Sequence, residues 1–396
     1  MKNNRERALR FVVSIGIVSL FADMTYEGAR SIIGPYLAVL GAGSIFAGLV
    51  AGLGEFLGYS VRLFAGRYVD RTRRNWQVMG VGYTVNMLAV PALALAPFAW
   101  LAGLLVFVER IGKGVRNPAK DALLSHAGHE LGHGFAFGLH EFLDQLGAVS
   151  GPLLVAGVIA LAMHFGVTLP ATEYRYAFAV LLIPALFALA FLWRAHTIEP
   201  EAMQAEKSTL TRFDANYYRY MAFAVVSVLG FSHFILVSFH LELTHRLTPA
   251  LIPVLFGVAM GTDAIGSILA GHFYDRYGLK VLYALPVLTL PTLPLLFLAV
   301  HPLWIWLGAA LWGFALGIQE STVRAGVATL TPASLRGTAY GLFDTVFGAA
   351  WLVGSVLLGA LYAIGAQWLV SVAMLLQLAA LPLLANLLRN RPERRP

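Results

Sequence analysis

The sequence predicts an all-α integral membrane protein: twelve transmembrane helices in two pseudo-symmetric six-helix bundles. Three observations carry that prediction. The 396 residues are 58% hydrophobic and only 12% charged, with a mean hydropathy of +0.72, whereas soluble domains carry roughly 25% charged residues. The apolar stretches are long and uninterrupted. They suit helices that satisfy their own backbone inside lipid better than the short alternating strands of a barrel. Landmarks also recur in order at nearly constant spacing. FAGRYVDR at Phe64–Arg71 returns as LAGHFYDR at Leu269–Arg276, with Asp70 and Asp275 205 positions apart. Lys120 meets Arg324 at 204, and Gly138–Leu139 meets Gly341–Leu342 at 203. Such regularity marks an internal duplication.

At about 20 apolar residues per span, helices are expected over 10–39, 43–67, 76–97, 100–122, 135–163, 173–194, 217–243, 249–273, 279–300, 302–330, 337–363 and 366–388. Short links containing glycine or proline, such as Gly41–Gly43, join most of them. Phe11–Leu20 runs on into a longer spanning segment with no cleavage site, so it does not read as a signal peptide. The longest polar stretch, Arg194–Arg219, divides the chain into an amino-terminal bundle over 1–194, a cytoplasmic linker over 195–216 and a carboxy-terminal bundle over 217–396. Part of the linker is expected to form an amphipathic surface helix. Two six-helix repeats are the architecture of a rocking transporter with its site between the halves.

Orientation follows from the basic residues. Lys2, Arg5, Arg7, Arg71, Arg73, Arg74, Lys207, Arg212, Arg276, Lys280, Arg336 and the Arg389–Arg395 tail lie in the even loops and the two ends. The odd loops hold little beyond Arg175 and Arg246. The positive-inside rule then puts both termini in the cytoplasm, with the protein in an inner or plasma membrane. The same loops explain the net charge of +7 without any nucleic-acid partner. With no cysteine in the chain, disulfides and thiolate chemistry are excluded.

The charges that fall inside spans are the candidate functional residues. Glu109–Asp121, ERIGKGVRNPAKD, holds six charges in thirteen residues. On a helix, Glu109, Lys113, Arg116 and Lys120 share one face. Ionisable groups at membrane depth are costly and face a bundle interior or a watery cavity. Helix one adds Asp23, Glu27 and Arg30, spaced four and three and so also on one face. Helix two adds Glu55 and Arg62, and helix five His140, Glu141 and Asp144. A substrate and proton cavity lined by Asp23, Glu27, Arg30, Arg110, Lys113, Glu141 and Asp144 is expected. Asp23 and Glu27 are the leading proton carriers, with Arg110 as a modulating charge, and Glu141 and Asp144 are the alternatives.

GRYVDRTRRN at Gly66–Asn75 resembles motif A of the major facilitator superfamily. Gly66, Asp70, Arg71 and Arg74 match, while Arg73 stands where a glycine is usual. The second copy, with Gly271, Asp275, Arg276, Gly278 and Lys280, is closer at that point. The resemblance implies a gating cluster at the cytoplasmic side. Arg110, Gly112 and Gly114 resemble motif B, whose arginine is linked to proton transfer in many members, with Lys113 replacing a common glutamine. Gly147, Gly151 and Pro152, with Gly157, resemble motif C, a signature associated with antiporters. These likenesses imply a monomeric, proton-coupled antiporter that exports a small organic solute. An importer or uniporter of an organic anion or zwitterion is the alternative. No cofactor, no bound metal and no enzymatic activity are expected.

One pattern points elsewhere. His129-Glu130-Leu131-Gly132-His133 matches the zinc-protease pattern His-Glu-x-x-His, in which two histidines one helical turn apart hold zinc. Gly128, Gly132 and Gly134 disfavour the helix that would align them. A short cytoplasmic loop between helices four and five is expected there, and a membrane metalloprotease is the remote alternative.

Overall fold

A computed structural model describes residues 2–167, 171–198, 213–332 and 336–390. Among these the fold is wholly helical: α1 (Lys2–Val39), α2 (Ser44–Thr72), α3 (Asn75–Ala92), α4 (Ala99–Leu131), α5 (His133–His164), α6 (Thr172–Val180), α7 (Leu182–His196), α8 (Ala215–Leu229), α9 (Phe234–Thr244), α10 (Leu251–Tyr277), α11 (Ala284–Phe297), α12 (Pro302–Leu330), α13 (Arg336–Ile364) and α14 (Ala366–Arg389). Ten segments are long and apolar enough to cross a membrane. One of them, Leu251–Phe297, holds both α10 and α11. The 33-residue α4 has the length but carries too many charges to be recognised by apolarity. The described residues thus hold twelve spans in the places expected. Large apolar side chains such as Ile183, Trp193, Ile268 and Leu375 stand exposed on the helices' outer faces, where acyl chains rather than water would meet them. The expected linker helix lies largely outside the described residues.

The chain forms two compact units. The first comprises Met1–Ala42, Leu57–Ala205 and Ser238–Gly257; the second comprises Gly43–Phe56, Glu206–Val237 and Val258–Pro396. Each unit therefore takes one segment from the opposite half of the sequence. In the first unit α1 packs on α5 and α7, and α3 on α4. In the second, α8 packs on α13 and α14, and α11 on α12. Small residues let these backbones approach. A Cβ added to Gly114 of α4 would stand 2.8 Å from the Gly58 carbonyl oxygen of α2. The equivalent contact in the second unit sets Gly317 of α12 against the Asp263 carbonyl of α10. The duplication read from the sequence is thus repeated in how the helices pack.

Two elements differ most from expectation, besides the turn at Leu181 that divides helix six into α6 and α7. Helix seven is broken: α8 stops at Leu229 and α9 starts at Phe234. No proline causes the break. Side chains distant in sequence make it tolerable, since Gln377 Nε2 donates to the Ser227 carbonyl at 2.7 Å and Trp312 Nε1 to the Ser232 carbonyl at 2.8 Å. His233 Nδ1 accepts from the Ile235 amide at 3.2 Å and so starts α9. Every polar backbone group in a buried span needs such a partner. Helix four, in contrast, runs nine residues past its expected end. Leu123, Leu124 and Ala127 are buried, and this apolar stripe carries the helix to Gly132, which turns the chain with φ +94°.

Candidate functional site

In the first unit, α1, α3, α4 and α5 bring most of the intramembrane charges together. Asp23 and Glu27 on α1 are buried, as are Glu109, Arg110 and Arg116 on α4 and His140 on α5. Lys113 and Lys120 are half-buried. The spacing expected of one helical face holds, and each base has an identifiable partner. Lys113 Nζ lies 3.7 Å from the centroid of the Tyr26 ring. The Arg116 guanidinium carbon lies 4.2 Å from the Tyr83 ring and 5.6 Å from that of Tyr26. Aromatic faces hold desolvated cations without adding charge. Tyr26 also hydrogen-bonds Asp23, so one ring links the acid and the bases.

The remaining ions form local pairs. Arg30 Nη1 meets Glu27 Oε1 at 3.3 Å, within α1. Arg110 Nε meets Glu109 Oε2 at 3.3 Å, and the same carboxylate accepts from Asn86 Nδ2 of α3 at 2.7 Å. On α5, His140 Nδ1 lies 3.3 Å from Asp144 Oδ2. Its Nε2 lies 2.8 Å from Ser19 Oγ and 3.2 Å from Lys120 Nζ. Glu141 lies at the exposed edge of this cluster, within 4.8 Å of ligand atoms of His140 and Asp144, with Gln145 Nε2 3.5 Å from its Oε1. Tyr26, Tyr83, Ser19 and Asn86 were not among the expected site residues. Tyr26 carried one usable signal, sharing the face of α1 that bears Asp23 and Arg30.

The motif C glycines set the geometry beneath the cluster. A Cβ at Gly147 would strike the Leu20 carbonyl oxygen, and one at Gly151 the Met24 carbonyl oxygen. Both α1 residues neighbour Asp23, so glycine at these positions seats α5 directly against the acidic stretch of α1. The motif A residues Asp70 and Arg71, and likewise Asp275 and Arg276, are exposed at the ends of α2 and α10. In the second unit, Glu55 Oε1 lies 3.4 Å from His233 Nε2 at the helix-seven break, and Arg324 Nη2 meets Asp344 Oδ2 at 3.1 Å.

The zinc-protease pattern has no continuous helix beneath it. His129 belongs to α4, His133 opens α5, and Gly132 breaks the helix between them. The loop expected there is instead the last turn of α4. The side chains of His129 and His133 lie outside the described residues.

The model of the Major Facilitator Superfamily matches residues 15–355 and again 219–396. An uncharacterised protein of Mycobacterium tuberculosis is 41% identical over 384 residues, which cover 94% of this chain and 92% of that protein. An uncharacterised MFS-type transporter of Methanocaldococcus jannaschii is 27% identical over 387 residues, 92% of each chain. Among solved structures, a mutant of the nucleoside transporter NupG has a TM-score of 0.75 at 11% identity, covering 96% of this chain and 99% of that one. At that identity the likeness is one of fold.

Proposed function

Because the chain belongs to the major facilitator superfamily of membrane transporters, we propose that it is a proton-coupled antiporter that exports a small organic solute by alternating access. It works as a monomer in an inner or plasma membrane, with both termini in the cytoplasm. The observation that carries this reading is the titratable cluster of the first unit. Asp23, Tyr26, Lys113, Arg116, Lys120, His140 and Asp144 converge from three spans, with Asp23, Arg116 and His140 buried. Ionisable groups at membrane depth mark ion and proton pathways, and a carboxylate among bases is the group that can exchange a proton there. The antiport direction draws on the motif C-like glycines, which seat α5 on α1 beside Asp23.

A second reading, facilitated uptake of an organic anion, draws on the three bases Lys113, Arg116 and Lys120 along α4. Everted membrane vesicles separate the two. Solutes that raise the thermal stability of the purified protein are first selected from a metabolite and drug panel, then added to acid-loaded vesicles. Antiport predicts that a selected solute collapses the pH gradient only in vesicles holding the transporter, and that an uncoupler stops its accumulation. Flux insensitive to pH and to the uncoupler refutes proton antiport and leaves facilitated transport.

A further inference from the structure

We propose that Asp144 is the carboxylate that takes up and releases the coupled proton, and that His140 and Lys120 are positioning residues that keep it ready to do so. The proposal rests on the proton-coupled reading above and assigns its carrier atom.

The other intramembrane acids of the first unit are engaged differently. Glu27 is paired with Arg30, and Glu109 with Arg110 and Asn86. Glu141 is exposed, and Asp23 is hydrogen-bonded by Tyr26. Asp144 instead faces an imidazole whose state is set by its far side. An ammonium has donors only, so His140 Nε2, 3.2 Å from Lys120 Nζ, must present its lone pair there. The Ser19 hydroxyl at 2.8 Å can donate to the same nitrogen. The ring proton of a neutral imidazole then sits on Nδ1, the nitrogen that lies 3.3 Å from Asp144 Oδ2. One carboxylate oxygen thereby faces a neutral N–H, and the Lys120 ammonium lies on the far side of the ring. The second oxygen, Oδ1, is buried and has no hydrogen-bond partner among the described residues, although the side chain as a whole is 18% exposed. Glu27 Oε2 is likewise buried without a hydrogen-bond partner, but its carboxylate is held by the permanent charge of Arg30, whereas that of Asp144 faces a neutral ring and keeps an exposed edge through which a proton can come and go.

The charged groups acting on Asp144 come from α1, α4 and α5 itself, and none comes from α6, the other helix packed on α5. They are Asp23 from α1, Arg116 and Lys120 from α4, and Glu141 from its own helix. Tyr83 of α3 and Asp121 of α4 act on Lys120. In the loading step a hydronium at the exposed edge of the Asp144 carboxylate gives its proton to an oxygen lone pair, leaving water and a neutral carboxylic acid. Unloading is the reverse, and the His140 tautomer is unchanged by either. Loading raises the charge of the cluster by one, because Lys120 and Arg116 lose a counter-charge. Although His140, Glu141 and Asp144 place ligand atoms within 4.8 Å of one another, the Lys120 ammonium at His140 disfavours a metal cation in that space.

The test needs no substrate. Infrared difference spectra of the reconstituted full-length protein, recorded while the buffer is acidified, report the carbonyl stretch of a newly protonated carboxylic acid. The assignment predicts a band that disappears in Asp144→Asn and persists in Asp23→Asn and Glu55→Gln. Lys120→Met keeps the band but displaces the pH at which it appears by about one unit, because a cation a few ångströms away acts on the ionised form. A merely structural lysine would leave that pH unchanged. A band that survives Asp144→Asn, or the absence of any band in the parent protein, overturns the proposal. A band that behaves as predicted beside pH-insensitive flux would instead refute the antiport reading while leaving Asp144 as a proton site.

Discussion

Arg73 and Gly278 occupy the same left-handed backbone conformation, with φ of +56° and +59°, 205 positions apart. Each follows the helix that ends its copy of motif A. The glycine position of the motif is therefore a backbone requirement, and in the first copy an arginine meets it. A left-handed conformation costs an L-residue roughly 1–2 kcal/mol, whereas glycine adopts it freely. Gly278→Ala should lower the stability of the purified protein by about 1 kcal/mol in thermal unfolding. Arg73→Gly should change it little or raise it, because the relieved strain is offset by glycine's greater backbone entropy when unfolded. A Gly278→Ala protein as stable as the parent would remove the conformational explanation.

The glycines of the motif C-like segment make a second, sharper comparison. At Gly151 a methyl group would collide with the Met24 carbonyl, while Gly157, two turns further along α5, has nothing within 4 Å of the added carbon. Overpacking of this kind costs typically 1–3 kcal/mol. Gly151→Ala should reduce both thermal stability and the yield of folded protein. Gly157→Ala should be neutral or stabilising, since alanine suits a helix interior better than glycine by up to about 1 kcal/mol. Equal effects at the two positions would mean that close approach of α5 to α1 is not the reason for Gly151.

Much of this was legible in the sequence for a physical reason. Spans are compositional, so apolar length placed all but α4, which was marked by the apolar run that opens it and by the spacing that sets its charges on one face. The repeat was visible because Asp70 and Asp275 lie at helix ends whose chemistry is unusual against an oily background. The break in helix seven was not legible. Residues 217–243 contain no proline and are long and apolar enough to read as one span, and the groups that satisfy the freed carbonyls, Trp312 and Gln377, come from α12 and α14. Tyr26 and Tyr83 were missed because aromatic residues are common in spans, and only the placement of Lys113 and Arg116 over their rings gives them a role.

That break yields a stability prediction. Trp312→Phe keeps most of the buried aromatic surface but removes the donor to the Ser232 carbonyl. A buried acceptor left unsatisfied costs about 1–3 kcal/mol. Gln377→Leu should cost a similar amount by exposing the Ser227 carbonyl to a dry interior. Protease susceptibility near Gly230 should rise in both variants. Unchanged stability in both would mean that water or a relaxed helix replaces these bonds.

The Glu27–Arg30 pair separates structural from transporting charge on α1. Its side chains are 8% and 11% exposed and meet at 3.3 Å. Removing one partner of a buried pair strands a charge and costs about 3–5 kcal/mol, whereas replacing both is often neutral. Arg30→Gln should therefore be strongly destabilising. Glu27→Gln should be milder, since a guanidinium is more weakly hydrated than an ammonium and so easier to bury. The double variant should recover most of the loss in a thermal-unfolding cycle. Strict additivity of the two single changes would show the residues to be uncoupled, and would return Glu27 to the acids able to exchange a proton beside Asp144.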